Sequence, residues 1–349
     1  MSLISNLSKI AAGTLLTAGL MASTAVPAAA QEYTEENPLK VALVVHGALG
    51  DKSFFDSAAA GLMKADADLP VELKIIEASS DKSKWQPALA DAADTGYDVI
   101  IVGTWEMAPF VPELAEEYPD EKFVIFDETV DFAACACTNV VGIQYYTSTA
   151  GYLAGYAAAK ISKTGKLGTI VGMEGATVLD FKVGFDQGAK VANPSVEILS
   201  QVAGTFTDPA KGKEIALAQF NQGVDIVFPI AGGTGIGALQ AAKDSGKLAV
   251  GVDSDQAAIF APTDPAQADV IFTSVEKRVG DSLYLVLKNT IEGTQEYGKT
   301  IILGLKDGAV GISKNAQYEK LVPADVRAEV DAIEGKIVSG EIVVDTVMN

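Results

Sequence analysis

The chain has 349 residues, 48% of them hydrophobic but only 7% aromatic, and its 46 acidic against 26 basic side chains give a net charge of −20. Nucleic acid is excluded as a partner, because binding it requires Lys and Arg to neutralise phosphates; an anionic membrane surface is disfavoured, and a neutral small ligand stays open. The length exceeds what one small core organises, so two lobes are expected.

Residues 1–30 contain one charged side chain, Lys9, then an apolar stretch from Ile10 to Met21, then small residues ending Pro27-Ala28-Ala29-Ala30. A basic start, a short apolar core and an A-x-A end predict a cleaved signal peptide. The apolar run is too short for a bilayer, which takes about 20 helical residues. Cleavage removes only Lys9 among the charges. No cysteine stands at the predicted cleavage point and no twin arginine precedes it, so the expected product is exported unfolded to the periplasm, soluble and not lipid-anchored.

Beyond residue 38, apolar β-branched runs alternate with segments of helical spacing. The runs are Val41–Val45, Leu73–Ile76, Val99–Val102 and Phe123–Phe126, then Val140–Tyr145, Leu167–Val171, Ile198–Val202, Ile226–Ile230, Leu248–Val252 and Val270–Phe272. Continuous apolar runs of this length fit parallel strands covered on both faces. Between them, Phe55–Ala67, Trp85–Ala93, Thr149–Ile161, Leu179–Ala192 and Lys211–Gln222 carry the helical period. The alternation predicts βαβ units and an α/β fold. It pauses at Asp127–Asn139 and restarts, which predicts two doubly wound parallel-sheet lobes joined by short hinges near Val141–Tyr145 and Phe272–Ser274. The lobes are placed at 38–143 plus about 274–300, and at 144–273 plus about 301–349. In the pause lie Cys135 and Cys137, one residue apart. A bridge between them closes a very small ring, so free thiols and a disulfide both stay open. A metal site is not expected, since the only histidine, His46, is far away in sequence.

Ligands of open parallel sheets bind beyond the carboxyl ends of the strands. Those ends hold aromatic rings (Phe54, Phe55, Trp105, Phe206) and carboxylates (Asp127, Asp253) from both halves. Rings can sandwich a planar base or a sugar face, while carboxylates accept hydrogen bonds from vicinal hydroxyls or ring N–H groups. The competing reading is that the rings pack at lobe edges and the aspartates cap helices. A helix starting at Gly232-Gly233 offers backbone N–H groups to a ligand oxygen.

Seven segments stand out in order, Gly50–Phe54, Glu116–Pro119 with Phe123–Asp127, Ala150–Gly155, Phe181–Gly188, Gly251–Gln256, Thr273–Lys277 and Gly304–Gly311; together they resemble the basic membrane protein family of purine-nucleoside-receptor-like periplasmic binding proteins. Gly50-Asp51-Lys52-Ser53-Phe54 is similar to its D-K-S-F-N signature, and Glu116-Glu117-Tyr118-Pro119 with Phe123–Asp127 to its EYP…F…D segment. Ala150–Gly155 resembles its FLAG helix, and Phe181, Gly184, Phe185 and Gly188 its F..GF..G. Gly251–Gln256, Thr273–Lys277 and Gly304–Gly311 are similar to GvD.DQ, TS..K and GL.dG.vG. The resemblance implies a type I periplasmic binding protein fold that captures a small molecule between its lobes and delivers it to an ABC permease, with no cofactor, as a monomer and without catalysis. It implies that Phe54 and Phe206 stack on the two faces of a purine, that Asp127 bonds to base or ribose, that Asp253 holds ribose hydroxyls and that Lys277 donates near the same end; Asp51, in the same signature, is counted with the site. Phe55 stands where the family has Asn. That change removes an amide and adds a ring, so a sugar or a flavin stays open beside a purine nucleoside.

An oxidoreductase is the rival class. Gly233-Thr234-Gly235-Ile236-Gly237-Ala238 fits a dinucleotide fingerprint with Asp253 some twenty residues on. It sits late in the second lobe, however, and an exported chain meets little nicotinamide cofactor. No G-x-S-x-G occurs, and a single histidine leaves few acid–base arrangements for a hydrolase.

Overall fold

In the computed structural model, which describes residues Glu32–Met348, the apolar runs become strands, most of them buried on both faces; the runs Leu73–Ile76 and Ile198–Val202 form edge strands that are only partly buried. The predicted signal peptide lies outside the described residues. The first half runs β1 (Leu39–Val45), α1 (Phe54–Asp68), β2 (Val71–Glu77), α2 (Trp85–Thr95), β3 (Val99–Gly103), α3 (Val111–Glu117), β4 (Lys122–Phe126) and β5 (Val140–Tyr145). The chain then enters a second layer system: α4 (Thr147–Ile161), β6 (Lys166–Val171), α5 (Ala176–Ala192), β7 (Glu197–Val202), α6 (Pro209–Asn221), β8 (Ile226–Ile230), α7 (Gly232–Ser245) and β9 (Leu248–Asp253). It continues through the short α8 (Gln256–Phe260) and α9 (Pro265–Ala268) to β10 (Ile271–Lys277). Helix α10 (Val279–Ile291) and β11 (Lys299–Leu303) return to the first half, and β12 (Val310–Ile312), α11 (Ala316–Leu321) and α12 (Ala324–Val338) finish in the second.

The two six-stranded sheets have orders β2-β1-β3-β4-β5-β11 and β7-β6-β8-β9-β10-β12. Strand for strand the orders correspond, so β4 and β9, or β5 and β10, hold equivalent places. All pairings are parallel except β10 with β12. Along β1 the side chains alternate between two covers: Leu39, Val41 and Leu43 pack with Leu62 of α1, and Ala42 and Val44 with Leu89 of α2. Burying each such side chain stabilises the fold by about 1.5–3 kcal/mol.

The chain passes between sheets three times: at the single residues Tyr146 and Arg278, and at Gly304, which a 3-10 turn over Leu305–Asp307 follows before β12. Tyr146 (φ −79°, ψ 73°) and Arg278 (φ −79°, ψ 63°) adopt nearly the same backbone conformation at equivalent places. Residues 274–277, expected in the first lobe, belong to β10, which is hydrogen-bonded to β9 and β12 along its length. Residues 301–303, expected in the second lobe, belong to β11, which pairs with β5 in the first sheet. Ladder hydrogen bonds keep both strands whole, so the crossings fall at their ends. Within the second lobe α4 and α5 cross at backbone contact: a Cβ on Gly184 would lie 1.8 Å from the Ser148 carbonyl oxygen. Cys135 and Cys137 form a disulfide. No helix of the described residues is long and apolar enough to cross a membrane.

Candidate ligand-binding site

The loop after β1 is folded by its own carboxylates. Asp51 accepts hydrogen bonds from the amides of Ser53 (3.0 Å), Phe55 (2.9 Å) and Asp56 (3.2 Å), and Asp56 accepts from those of Gly50 (2.7 Å) and Lys52 (2.8 Å). The bonds to Asp51 satisfy donors at the start of α1 that have no partner inside the helix, and those to Asp56 tie the preceding loop to it. Burial pushes the Asp51 carboxyl up to about 6, against the pull of those amides. Its oxygens therefore serve the loop, and the loop fixes Phe54 and Phe55 at the first turn of α1.

An aspartate in the left-handed region follows β4 and another closes β9, Asp127 (φ 62°) and Asp253 (φ 63°). That conformation is uncommon outside glycine, though Asp tolerates it better than most, and such strain concentrates at functional sites. Both aspartates meet Lys277, at the end of β10. Its Nζ donates to Asp127 Oδ1 at 2.8 Å and lies 3.7 Å from Asp253 Oδ1. Ser53 Oγ, from the other lobe, donates to Asp253 Oδ2 at 2.6 Å. The three charged residues are 4%, 7% and 3% exposed, so both lobes enclose one buried ionic cluster. Burial pushes the Asp127 carboxyl up to about 6 although Lys277 pulls it down. The ammonium also lies 4.5 Å from the centre of the Phe54 ring and 5.1 Å from that of Phe181, a favourable cation–π placement.

A cavity of about 520 Å³ lies against this cluster, and all nine candidate residues line it: Asp51, Phe54, Phe55, Trp105, Asp127, Phe206, Gly232, Asp253 and Lys277. The volume is in the range of small-molecule sites, about 300–1,000 Å³. Trp105 from the first lobe and Phe206 from the second meet with ring centres 6.2 Å apart, their planes inclined at 60°. Phe206 can lie there because β6 is followed by Gly172, where a Cβ would come within 2.3 Å of the ring. Gly232 and Gly233 line the same wall at the start of α7, whose first amides lack partners within the helix. Gly237, the last glycine of the dinucleotide-like fingerprint, does something else. A Cβ on Gly237 would lie 1.7 Å from the Pro209 carbonyl oxygen, so this glycine lets α7 close on α6.

A second polar cluster was not singled out from sequence. His46, after β1, and Glu106, after β3, meet with Nε2 to Oε2 at 3.4 Å; Thr104 Oγ1 is 3.2 Å from the same nitrogen, and Lys82 Nζ is 3.1 Å from Glu106 Oε1. Hydrogen bonding to His46, helped by Lys82, holds the Glu106 carboxyl below its ordinary value despite burial. Thr104 is itself left-handed (φ 75°), and its hydroxyl accepts from the Glu106 amide. His46 packs edge-on to Phe55, and Phe55 lies against Phe54, so two rings stand between this cluster and Lys277. Both residues sat at strand ends in the sequence; only the β1–β3 adjacency brings them together.

Two matched lobes whose strand ends enclose one cavity, lined by rings and buried charge, define a two-lobed solute-capturing protein. The chain belongs to the family of ABC transporter substrate-binding proteins described as PnrA-like, which it matches over residues 39–347. It is 35% identical over 308 residues to basic membrane protein A of Borreliella afzelii, covering 87% of this chain and 91% of that one. Among solved structures it resembles an ABC transporter solute-binding protein from Aeropyrum pernix K1, with TM-score 0.80, 26% identity, and coverage of 89% of this chain and 94% of that one. One from Conexibacter woesei matches with TM-score 0.72 at 24% identity, over 89% of this chain and 100% of that one, and shows the fold alone. The chain is thus an ABC-transporter substrate-binding protein with the periplasmic solute-binding fold. Members of this family act outside the cytoplasm, bind small molecules and pass them to a permease; they are binding proteins rather than enzymes.

Proposed function

We propose that the cavity captures a purine nucleoside and delivers it without turnover to its permease, after the chain has been exported through a cleaved signal peptide and released as a soluble monomer. The observation that carries this reading is the buried Lys277–Asp127–Asp253 cluster set directly beside aromatic rings. Vicinal ribose hydroxyls are donors and acceptors at once: they can donate to the two carboxylates and accept from the ammonium, replacing water at a cluster that is costly to leave unsolvated. A base attached to that ribose then lies among Phe54, Trp105 and Phe206, where stacking contributes about 1–3 kcal/mol per ring. Asp51 shapes the loop under Phe54, and the Gly232 amide completes the far wall. Net negative charge, in the cavity and in the whole chain, disfavours nucleotides carrying phosphate.

A thermal-shift screen against nucleosides, free bases, riboflavin and monosaccharides tests the reading. A ligand that binds only the native protein raises the midpoint by linkage. Purine nucleosides are expected to raise it and monosaccharides to leave it unchanged. A shift with sugars or riboflavin and none with nucleosides would show that Phe55 has moved the specificity away from the purine.

A further inference from the structure

We propose that Glu106 reads the base edge and selects a purine carrying a ring N–H beside an amino group, as guanine does; this rests on the nucleoside reading above. Glu106 lines the cavity with its side chain only 13% exposed, and its charged form is favoured by His46. An ionised carboxylate has no hydrogen to give, so it can only accept, through about four lone-pair positions on two oxygens. His46 and Lys82 occupy one position on each oxygen, which leaves both oxygens able to accept again. The Lys82 side chain also lines the cavity, but it is 72% exposed and contacts Oε1 alone, so each oxygen keeps free lone-pair positions. Two parallel acceptors match two adjacent N–H donors, the geometry that makes paired carboxylate contacts strong and directional.

The neighbouring residues narrow the choice. Phe55 has no hydrogen-bonding group, and Trp105, adjacent to Glu106 in the chain, contributes a ring to the cavity wall. The position of Glu106 is fixed from behind by the hydrogen bond its backbone N–H donates to the hydroxyl of the left-handed Thr104 and by the contact with His46, itself wedged between Phe55 and Trp85 with ring centres 5.1 and 4.9 Å away. A guanine edge offers its ring N–H and its 2-amino group to such a carboxylate. Hypoxanthine offers one donor. Adenine turns a bare ring nitrogen toward it, setting acceptor against acceptor, which penalises the wrong base as well as rewarding the right one.

Calorimetric affinities for guanosine, inosine, adenosine and 1-methylguanosine test this. In the wild-type protein guanosine should bind about tenfold tighter than inosine, with adenosine weaker still, in line with the usual discrimination of a paired base contact. The 1-methyl group removes one donor and should cost about tenfold or more. In Glu106→Gln the guanosine-to-inosine ratio should fall by about tenfold, toward one. A purely structural role would weaken all ligands alike and leave that ratio unmoved, which would overturn the assignment. Equal binding of guanosine and 1-methylguanosine would overturn it without any variant. If the wild-type protein binds none of the four, the nucleoside reading fails along with it; if it binds them without preference, only the role of Glu106 fails.

Discussion

Asp127 and Asp253 occupy equivalent places in the two lobes, yet their surroundings differ. Asp253 receives the Ser53 hydroxyl, while Asp127 has the Lys277 ammonium and two like charges nearby, Asp253 and Glu128. Desolvation outweighs the lysine, so the Asp127 carboxyl rises from an ordinary 3.8 to about 6. The folded protein then holds a proton on Asp127 at pH values where the unfolded chain has lost it. Stability contributed by this group therefore grows as pH falls from about 6 toward 4 and is lost as pH rises through that window. Asp51 acts in the same direction, also rising to about 6. Asp127→Asn removes only the first contribution. Urea midpoints measured from pH 7 to 5 without ligand should show the wild type gaining on the variant as pH falls. A constant difference across that range would mean that Asp127 titrates normally in the fold.

At the scale of elements, glycine placement decides how closely helices pack. Gly184 in α5 and Gly335 in α12 both sit inside helices, where alanine is intrinsically better by about 0.5–1 kcal/mol. Around Gly335 nothing lies within 4 Å of an added Cβ, whereas at Gly184 the methyl would collide with the backbone of α4. Gly335→Ala should accordingly stabilise by about 0.5–1 kcal/mol, and Gly184→Ala should destabilise by about 1–3 kcal/mol. Chemical denaturation of the two variants reads both signs, and the same sign for both would mean that the α4–α5 crossing yields. Elements buried on both faces were legible in the sequence, because a continuous apolar run has few other uses. Strand β11 was not: it is an edge strand with exposed Lys299 and Ile302, and its pattern resembles a loop. Strand β10 was read short because Thr273, Ser274, Glu276 and Lys277 interrupt its apolar character; they do so because its end carries the site. The strand-end rule found the cavity wall, since topology alone dictates where strand ends gather. It could not show that Asp51 turns inward to its own loop, or that His46 and Glu106 meet. Those depend on side-chain direction and on the β2-β1-β3 order, which no local pattern encodes.

For the whole molecule, the lobes meet through few but specific polar bonds. Besides the Lys277–Asp127 and Ser53–Asp253 pairs, Gln256 Nε2 donates to the Lys52 carbonyl at 3.0 Å and Ser254 Oγ to that of Ser53 at 3.3 Å. All four join the loop after β1, or the end of β4, to the ends of β9 and β10, so they are made or broken together. Against them stands a net charge of −20, whose self-repulsion favours separation of the lobes. Rotation is easiest where one residue links two rigid elements, so we propose the hinge at Tyr146, Arg278 and Gly304 rather than inside β5 and β10. A ligand touching both lobes binds the closed arrangement better than the open one and shifts the population by that difference in affinity. Small-angle scattering should therefore show a larger radius of gyration without ligand than with saturating ligand. Raising the salt concentration without ligand should move the radius part of the way toward the closed value, because it screens the repulsion between lobes. A radius indifferent to both ligand and salt would mean that the interlobe contacts, polar and aromatic together, hold the cavity shut without ligand, and that ligand enters without hinge motion.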